Sequence, residues 1–281
     1  MKSRFVIRLL AVMVVVYSFN NSMAQKNDWE KEGLKGRVKS EKLYDYYDAQ
    51  KYGDINPLSI NKNDTNFRMI IRYDLKGKLL GWEGRNGKKL LVCNYDQSGN
   101  MSSQMKYDGK GNLIHRDTFK YDDKANLIEH TGTRLEKDTS RFKYVYKYDE
   151  KGNQLEFENN SISHNFYQKF VYKYDDMGHK IEDVEYDNNG QYNMMWIYKY
   201  DEHGNKTEMD LYGDSLIYKQ YFKYDENGSI IEGWRWYGDN SMWDHFYYTV
   251  EYDEEGNWIK KVCTDNTEGP PVRIRVIEYY K

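Results

Sequence analysis

The chain has 281 residues, 42 basic and 45 acidic side chains, a formal net charge of −3 and a mean hydropathy of −1.00. So acidic a balance argues against electrostatic binding of nucleic acid. A polar average would also suit disorder, but 16% of the residues are aromatic and 29 are Tyr, whereas disordered chains are poor in rings.

Lys2, Arg4 and Arg8 open the chain, an apolar run covers Leu9 to Val16, and "SMA" precedes Gln25. This layout predicts a secretory signal peptide over residues 1–24, cleaved after Ala24. The run is shorter than the roughly 20 apolar residues of a membrane span. No Cys follows it, so a lipid anchor is not expected. Cleavage would move the formal charge from −3 to −3 − 3 = −6, since it removes three basic residues and no acid. Residues 25–281 then form one domain. Residues 48–66, polar and containing Pro57, interrupt the strand pattern as a long loop or insertion.

From there the chain repeats itself. A Tyr-Asp phrase begins at Tyr73, Tyr95, Tyr121, Tyr148, Tyr174, Tyr200, Tyr224 and Tyr252, at steps near 26 residues, and Tyr47 and Tyr279 extend the series. Weaker half-repeats start at Tyr107, Tyr186, Tyr212 and Tyr237. Helical repeats need longer periods, about 33 to 47 residues. In Phe142, Tyr144, Tyr146 and Tyr148 rings fall at every second position, the period of a β-strand. The expected fold is all-β: an extended antiparallel β-hairpin repeat array, a meander sheet single-layered or curled, with about 26 residues per two-strand repeat. "TDNTEGPP", residues 264–271, reads as a turn, and "VRIRVIEYYK" as a strand capping the array.

The phrase "DEKG" is turn chemistry. Asp149 suits the first position of a type I turn and Gly152 the position of positive φ, giving a three-residue hairpin loop with a bulge. Calcium at the aligned Asp149, Asp175, Asp201, Asp225 and Asp253 is the lesser reading, because the alternating ligand series and terminal Glu of a calcium loop are missing. Counting outward from this turn pairs Tyr148 with Gln154, Lys147 with Leu155 and Tyr146 with Glu156. One face would then carry Tyr and Glu, and the other Lys with aliphatic residues.

The phrases "YDEKGN" and "YDENGS", with the entry "LKGRVKSEKLYDYYDA" and the exit "RIRVIEYYK", resemble the YD-repeat family of small secreted bacterial proteins, relatives of RHS repeats. The resemblance runs over about residues 37 to 281. It implies an exported β-repeat scaffold, in larger relatives a shell around a toxin or a carbohydrate-binding surface. Asn follows the turn Gly where RHS repeats favour Arg, and the family motif names turn and strand residues rather than a catalytic set.

No P-loop, Rossmann glycine pattern, nucleophile elbow or HExxH spacing occurs, and the six His are scattered. An enzyme is not expected, nor a cofactor or metal; a glycosidase would need a carboxylate pair around a cleft. In an extended array Cys93 and Cys263 would stand too far apart to bridge, so two thiols outside any disulfide are expected. The candidate ligand-binding residues are Trp196, Tyr198, Trp234, Trp236 and Trp258, assigned by parity to the Tyr face. Exposed rings would bind a glycan or an envelope protein; packing between strands is the plainer role for them. The leading expectation is an exported noncatalytic binding module, with a structural component of the envelope as the alternative and a carbohydrate-active hydrolase behind both. Recurrent Lys argues against a lipid-facing barrel, and the oligomeric state is left open.

Overall fold

The computed structural model describes residues 27–47, 51, 53–60, 64–135, 139–163, 166–238, 243–263 and 271–281. The expected signal peptide and most of the "TDNTEGPP" turn lie outside these residues. A four-residue helix, α1 (Asp28–Lys31), precedes β1 (Val38–Tyr46), β2 (Phe67–Tyr73), β3 (Leu79–Glu83), β4 (Lys89–Tyr95), β5 (Met101–Tyr107) and β6 (Leu113–Tyr121). Then follow β7 (Leu127–Arg134), β8 (Ser140–Tyr148), β9 (Gln154–Ser161), β10 (Phe166–Tyr174), β11 (Lys180–Tyr186) and β12 (Tyr192–Tyr200). The last are β13 (Lys206–Tyr212), β14 (Leu216–Tyr224), β15 (Ile230–Tyr237), β16 (Trp243–Tyr252), β17 (Trp258–Cys263) and β18 (Val272–Tyr279).

Each strand pairs antiparallel with the next, and β18 returns to β1, with Leu43 opposite Arg275 and Tyr44 opposite Ile274. The other edge of β1 holds β2. The sheet is therefore a closed 18-stranded antiparallel barrel, which corrects the extended array that the repeat predicts. Every strand pair adds right-handed twist, so a meander curls, and closure removes the two bare edges. The pairs that close the ring join β1 and β18, at the two ends of the repeat series, so the phrase alone reads the same in an open or a closed sheet.

The hairpin turn is as expected. Gly152 has φ 86° and its N–H donates to the Asp149 carbonyl, while the Asp149 N–H donates to the Asn153 carbonyl. The Asp149 carboxylate accepts from the backbone and side-chain nitrogens of Asn153, at 2.8 and 2.9 Å. Asn112, Asn126 and Asn205 repeat this lock. It gives Asn a reason to follow Gly, and it occupies the turn carboxylates that the calcium reading needed.

The expected register holds for only one pair. Tyr148 faces Gln154, but Lys147 then faces Glu156 and Tyr146 faces Phe157, because Leu155 is skipped in a bulge. The same shift occurs at Lys173/Tyr174, Lys199/Tyr200 and Lys223/Tyr224. One skipped residue exchanges the faces. In these hairpins the motif Tyr and the Glu eight residues after it do not share a face; that Glu shares one with Lys.

These Lys–Glu ladders form the outer wall. Lys120, Lys147, Lys173, Lys199 and Lys223 are 57% to 69% exposed. Glu156 bridges Lys147 and Lys169, at 2.6 and 3.0 Å, and Glu129 bridges Lys120 and Lys143. The inner wall carries the rings, with Phe157, Tyr172 and Tyr198 at most 8% exposed.

Two caps finish the barrel. At the mouth carrying the Tyr-Asp turns, Trp29 of α1 packs with Leu34, Val38 and Tyr73. A Cβ at Gly77 would stand 2.7 Å from the Trp29 ring, so this glycine is required by space as well as by its φ of 81°. On the outer side of β1 and β18, Ile55, Ile60 and Phe67 cover Tyr44, Tyr46, Val272 and Ile274, and the Tyr46 hydroxyl donates to Asp64 at 2.7 Å. The described residues of the segment expected as a long loop or insertion thus cover the seam. Cys93 and Cys263 are buried thiols on β4 and β17, outside any disulfide.

Candidate functional site

The register shift divides the candidate residues between two walls. Trp196 faces Asp183 and Tyr198 follows on the same side, so both belong to the inner wall. Trp258, opposite Tyr252, is also inner. Trp234 faces Tyr221 and Trp236 faces Lys219, in line with the outer pair Lys223 and Glu232. The shared face expected for these residues is therefore corrected: Trp234 and Trp236 point outward because the bulge at Ile231, between Ile230 and Glu232, reverses their parity.

On the outer wall, β14–β16 interrupt the charge ladder with a strip of rings. Tyr221 and Trp234 lie 5.9 Å apart, Trp234 and His245 5.4 Å, and His245 and Tyr247 4.3 Å. Lys223 sits 5.0 Å over Trp234. Trp234 is half-buried, while His245 and Tyr247 are exposed. Beside the strip is an open cleft of about 270 Å³ lined by Leu216, Lys219, Tyr221 and Trp236.

Charged groups fix the edges of this strip. Lys219 bonds Asp210 at 2.7 Å, which raises its pKa, and also reaches Glu208. Glu232 accepts from Lys223 and His245, both at 2.8 Å, and these bonds hold its carboxyl below the usual range. His245 takes the place that Lys169 holds beside Glu156.

The inner wall has its own cluster. Lys180 bonds Asp183 at 2.9 Å, and the Tyr198 hydroxyl donates to the same carboxylate oxygen at 2.8 Å. Lys206 stands 4.2 Å over the Tyr198 ring, and burial together with the nearby Lys180 lowers its pKa. Burial and Asp183 raise the Tyr198 hydroxyl far above its ordinary value. Trp258 is packed beneath Arg275 at 4.1 Å and Lys261 at 4.9 Å.

A second inner cluster centres on Asp117, only 1% exposed. His115 and His130 each present Nε2 to one of its oxygens, at 2.7 and 2.8 Å, and Gln104 donates to the other at 2.8 Å. Both oxygens of this buried carboxylate are satisfied. Among the described residues no group of three or more His, Cys, Asp or Glu is arranged to hold a metal ion.

Sequence reasoning did not single out Lys180, Asp183, Lys206, Tyr221, His245 or Tyr247. The available clue was the position six residues after the motif Tyr. Lys180 and Lys206 stand there, where other repeats carry Leu127 or Gln154.

No protein-family model and no curated protein matches the chain. Among solved structures, a porin-like protein from Bacteroides uniformis aligns at 11% identity and TM-score 0.46, over 86% of this chain and 98% of that one. A porin-like protein from Bacteroides vulgatus aligns at 11% identity and TM-score 0.39, over 88% and 99%. The Tc holotoxin pore of Photorhabdus luminescens aligns at 14% identity and TM-score 0.33, over 69% of this chain and 12% of that one. All three likenesses are weak. Among the described residues no helix is long and apolar enough to cross a membrane. A lipid-facing barrel wall is apolar, and Lys or Arg at its midplane costs about 2–4 kcal/mol; this outer wall carries rows of Lys and Glu.

Proposed function

We propose that the chain is an exported, noncatalytic β-barrel binding protein that recognises a glycan on its outer wall, through the ring strip of β14–β16. One observation carries the reading: an outer wall built of Lys–Glu ladders from β6 onward gives way to Tyr221, Trp234, Trp236, His245 and Tyr247 beside a cleft. Ring faces stack on the C–H faces of sugars, while Lys219, Glu232 and His245 offer hydrogen bonds at the margin. Export follows from the predicted leader. The absence of catalysis is part of the proposal.

A glycan array on the folded chain tests this. A specific hit lost in Trp234→Ala and retained in an inner-wall variant such as Trp196→Phe supports the outer strip. A hit indifferent to Trp234 and Trp236 removes it. Self-association without any soluble ligand would favour the structural role instead.

A further inference from the structure

We propose that the inner wall of β11–β13 holds a second subsite, which takes the acid group of an anionic sugar, a hexuronate or a sulfated sugar, on Lys206. The subsite is separate from the outer strip. Lys206 is the first residue of β13, directly after the Asp201–Asn205 turn, so it stands at the mouth of the barrel.

The local charges do not cancel. Lys180 and Lys206 share the neighbourhood of one carboxylate, Asp183, and Lys180 already bonds it. Among the described residues Lys206 makes no ion pair: the nearby Asp183 is bonded by Lys180, and the Lys206 ammonium lies over the Tyr198 ring. A half-buried ammonium held next to another cation calls for an anion. Burial first, and Lys180 second, lower the proton affinity of Lys206 against the opposing pull of Asp183.

An independent observation lies beside it. Asp183 is 8% exposed, and its second oxygen, Oδ1, has no hydrogen-bond partner among the described residues. Buried polar atoms are rarely left bare. The wall thus offers an unmatched cation, an unmatched acceptor and, on the same face, the ring of Trp196. A sugar acid supplies the complements: an anionic group for Lys206, a hydroxyl to donate to Asp183 and a C–H face for the ring. Neutral sugars lack the first, and simple anions lack the other two.

The full chain is titrated by calorimetry with galacturonate, glucuronate and glucose 6-sulfate, each against galactose or glucose. The expected result is binding of at least one acidic sugar, about tenfold or more tighter than its neutral counterpart, as a charged hydrogen bond implies. That binding weakens as salt rises, falls by about the same factor in Lys206→Gln, and survives in Lys206→Arg. It also survives in Trp234→Ala, which separates it from the outer strip. Equal affinity for acidic and neutral sugars, no binding of any acidic sugar, or full binding by a folded Lys206→Gln overturns the proposal. Should Lys206→Gln fail to fold, the acid preference and salt dependence of the unsubstituted chain decide.

Discussion

The Tyr174 hydroxyl donates to the backbone carbonyl of Gln154 at 2.8 Å, tying one hairpin to the hairpin before it. Gln154 immediately precedes the skipped Leu155. Tyr95, Tyr121, Tyr148, Tyr200 and Tyr224 make the same bond to Leu79, Met101, Leu127, Lys180 and Lys206. Tyr252 reaches the Asp225 carboxylate instead. The motif therefore needs a phenol and not merely a ring. Tyr174→Phe should destabilise the barrel by about 1 kcal/mol, the net value of such a bond. An unchanged urea midpoint in that variant would show the hydroxyl bond to be dispensable.

Ala125 occupies a turn position with φ 63°, where the equivalent repeats carry Gly. A left-handed residue with a Cβ costs about 1–2 kcal/mol. Ala125→Gly should accordingly raise the melting temperature. Gly178→Ala should lower it, from strain alone, since its Cβ would come no closer than 3.9 Å to another atom. Opposite signs in paired thermal scans are the expected outcome.

Most of the strand content and the turn chemistry is legible in the sequence. Period two in Phe142–Tyr148 and the Asp149–Gly152 phrase are local, and local physics decides them. The register is not, because the skip at Leu155 lies beyond the turn loop and reverses every parity after it. The equivalent skip at Ile231 put Trp234 and Trp236 outside, while Trp196 and Tyr198, which precede their own turn, stayed within. Closure is illegible for a different reason: it depends on accumulated twist and on β1 meeting β18, which no single repeat encodes.

Glu41 and Arg275 form an ion pair at 2.9 Å inside the seam, 3% and 5% exposed, and Tyr73 donates to the second Glu41 oxygen. Arg275 also donates to the Trp258 carbonyl. Removing one partner strands a buried charge, at a cost of about 3–5 kcal/mol. Arg275→Met alone should be severely destabilised. Adding Glu41→Gln should recover part of the loss, which chemical denaturation of the single and double variants can measure.

Acid should act through Asp117. Burial pushes its carboxyl up, but hydrogen bonds from His115, His130 and Gln104 outweigh this and hold it well below the usual carboxylate range. Folding thus favours the ionised form. The resulting stability is complete above about 3.9, the ordinary Asp value, and is lost as pH falls through the lower folded value. Asp117→Asn should be less stable than the parent at neutral pH, and the gap should narrow toward pH 2. Urea midpoints across that range give the comparison; a constant gap would assign the acid response elsewhere.

The union of β1 with β18 also governs when the barrel can be finished. Residues 38–46 are made early, yet one of their two partner strands is residues 272–279. A chain emerging from its amino end can zip hairpin after hairpin but must hold two adhesive margins open until its final segment arrives. Joining those margins draws together positions more than 230 apart, as Leu43 and Arg275 are, and the entropic toll grows only logarithmically with that span. The moment of greatest danger from neighbouring copies is therefore the interval before the last eight-residue strand docks.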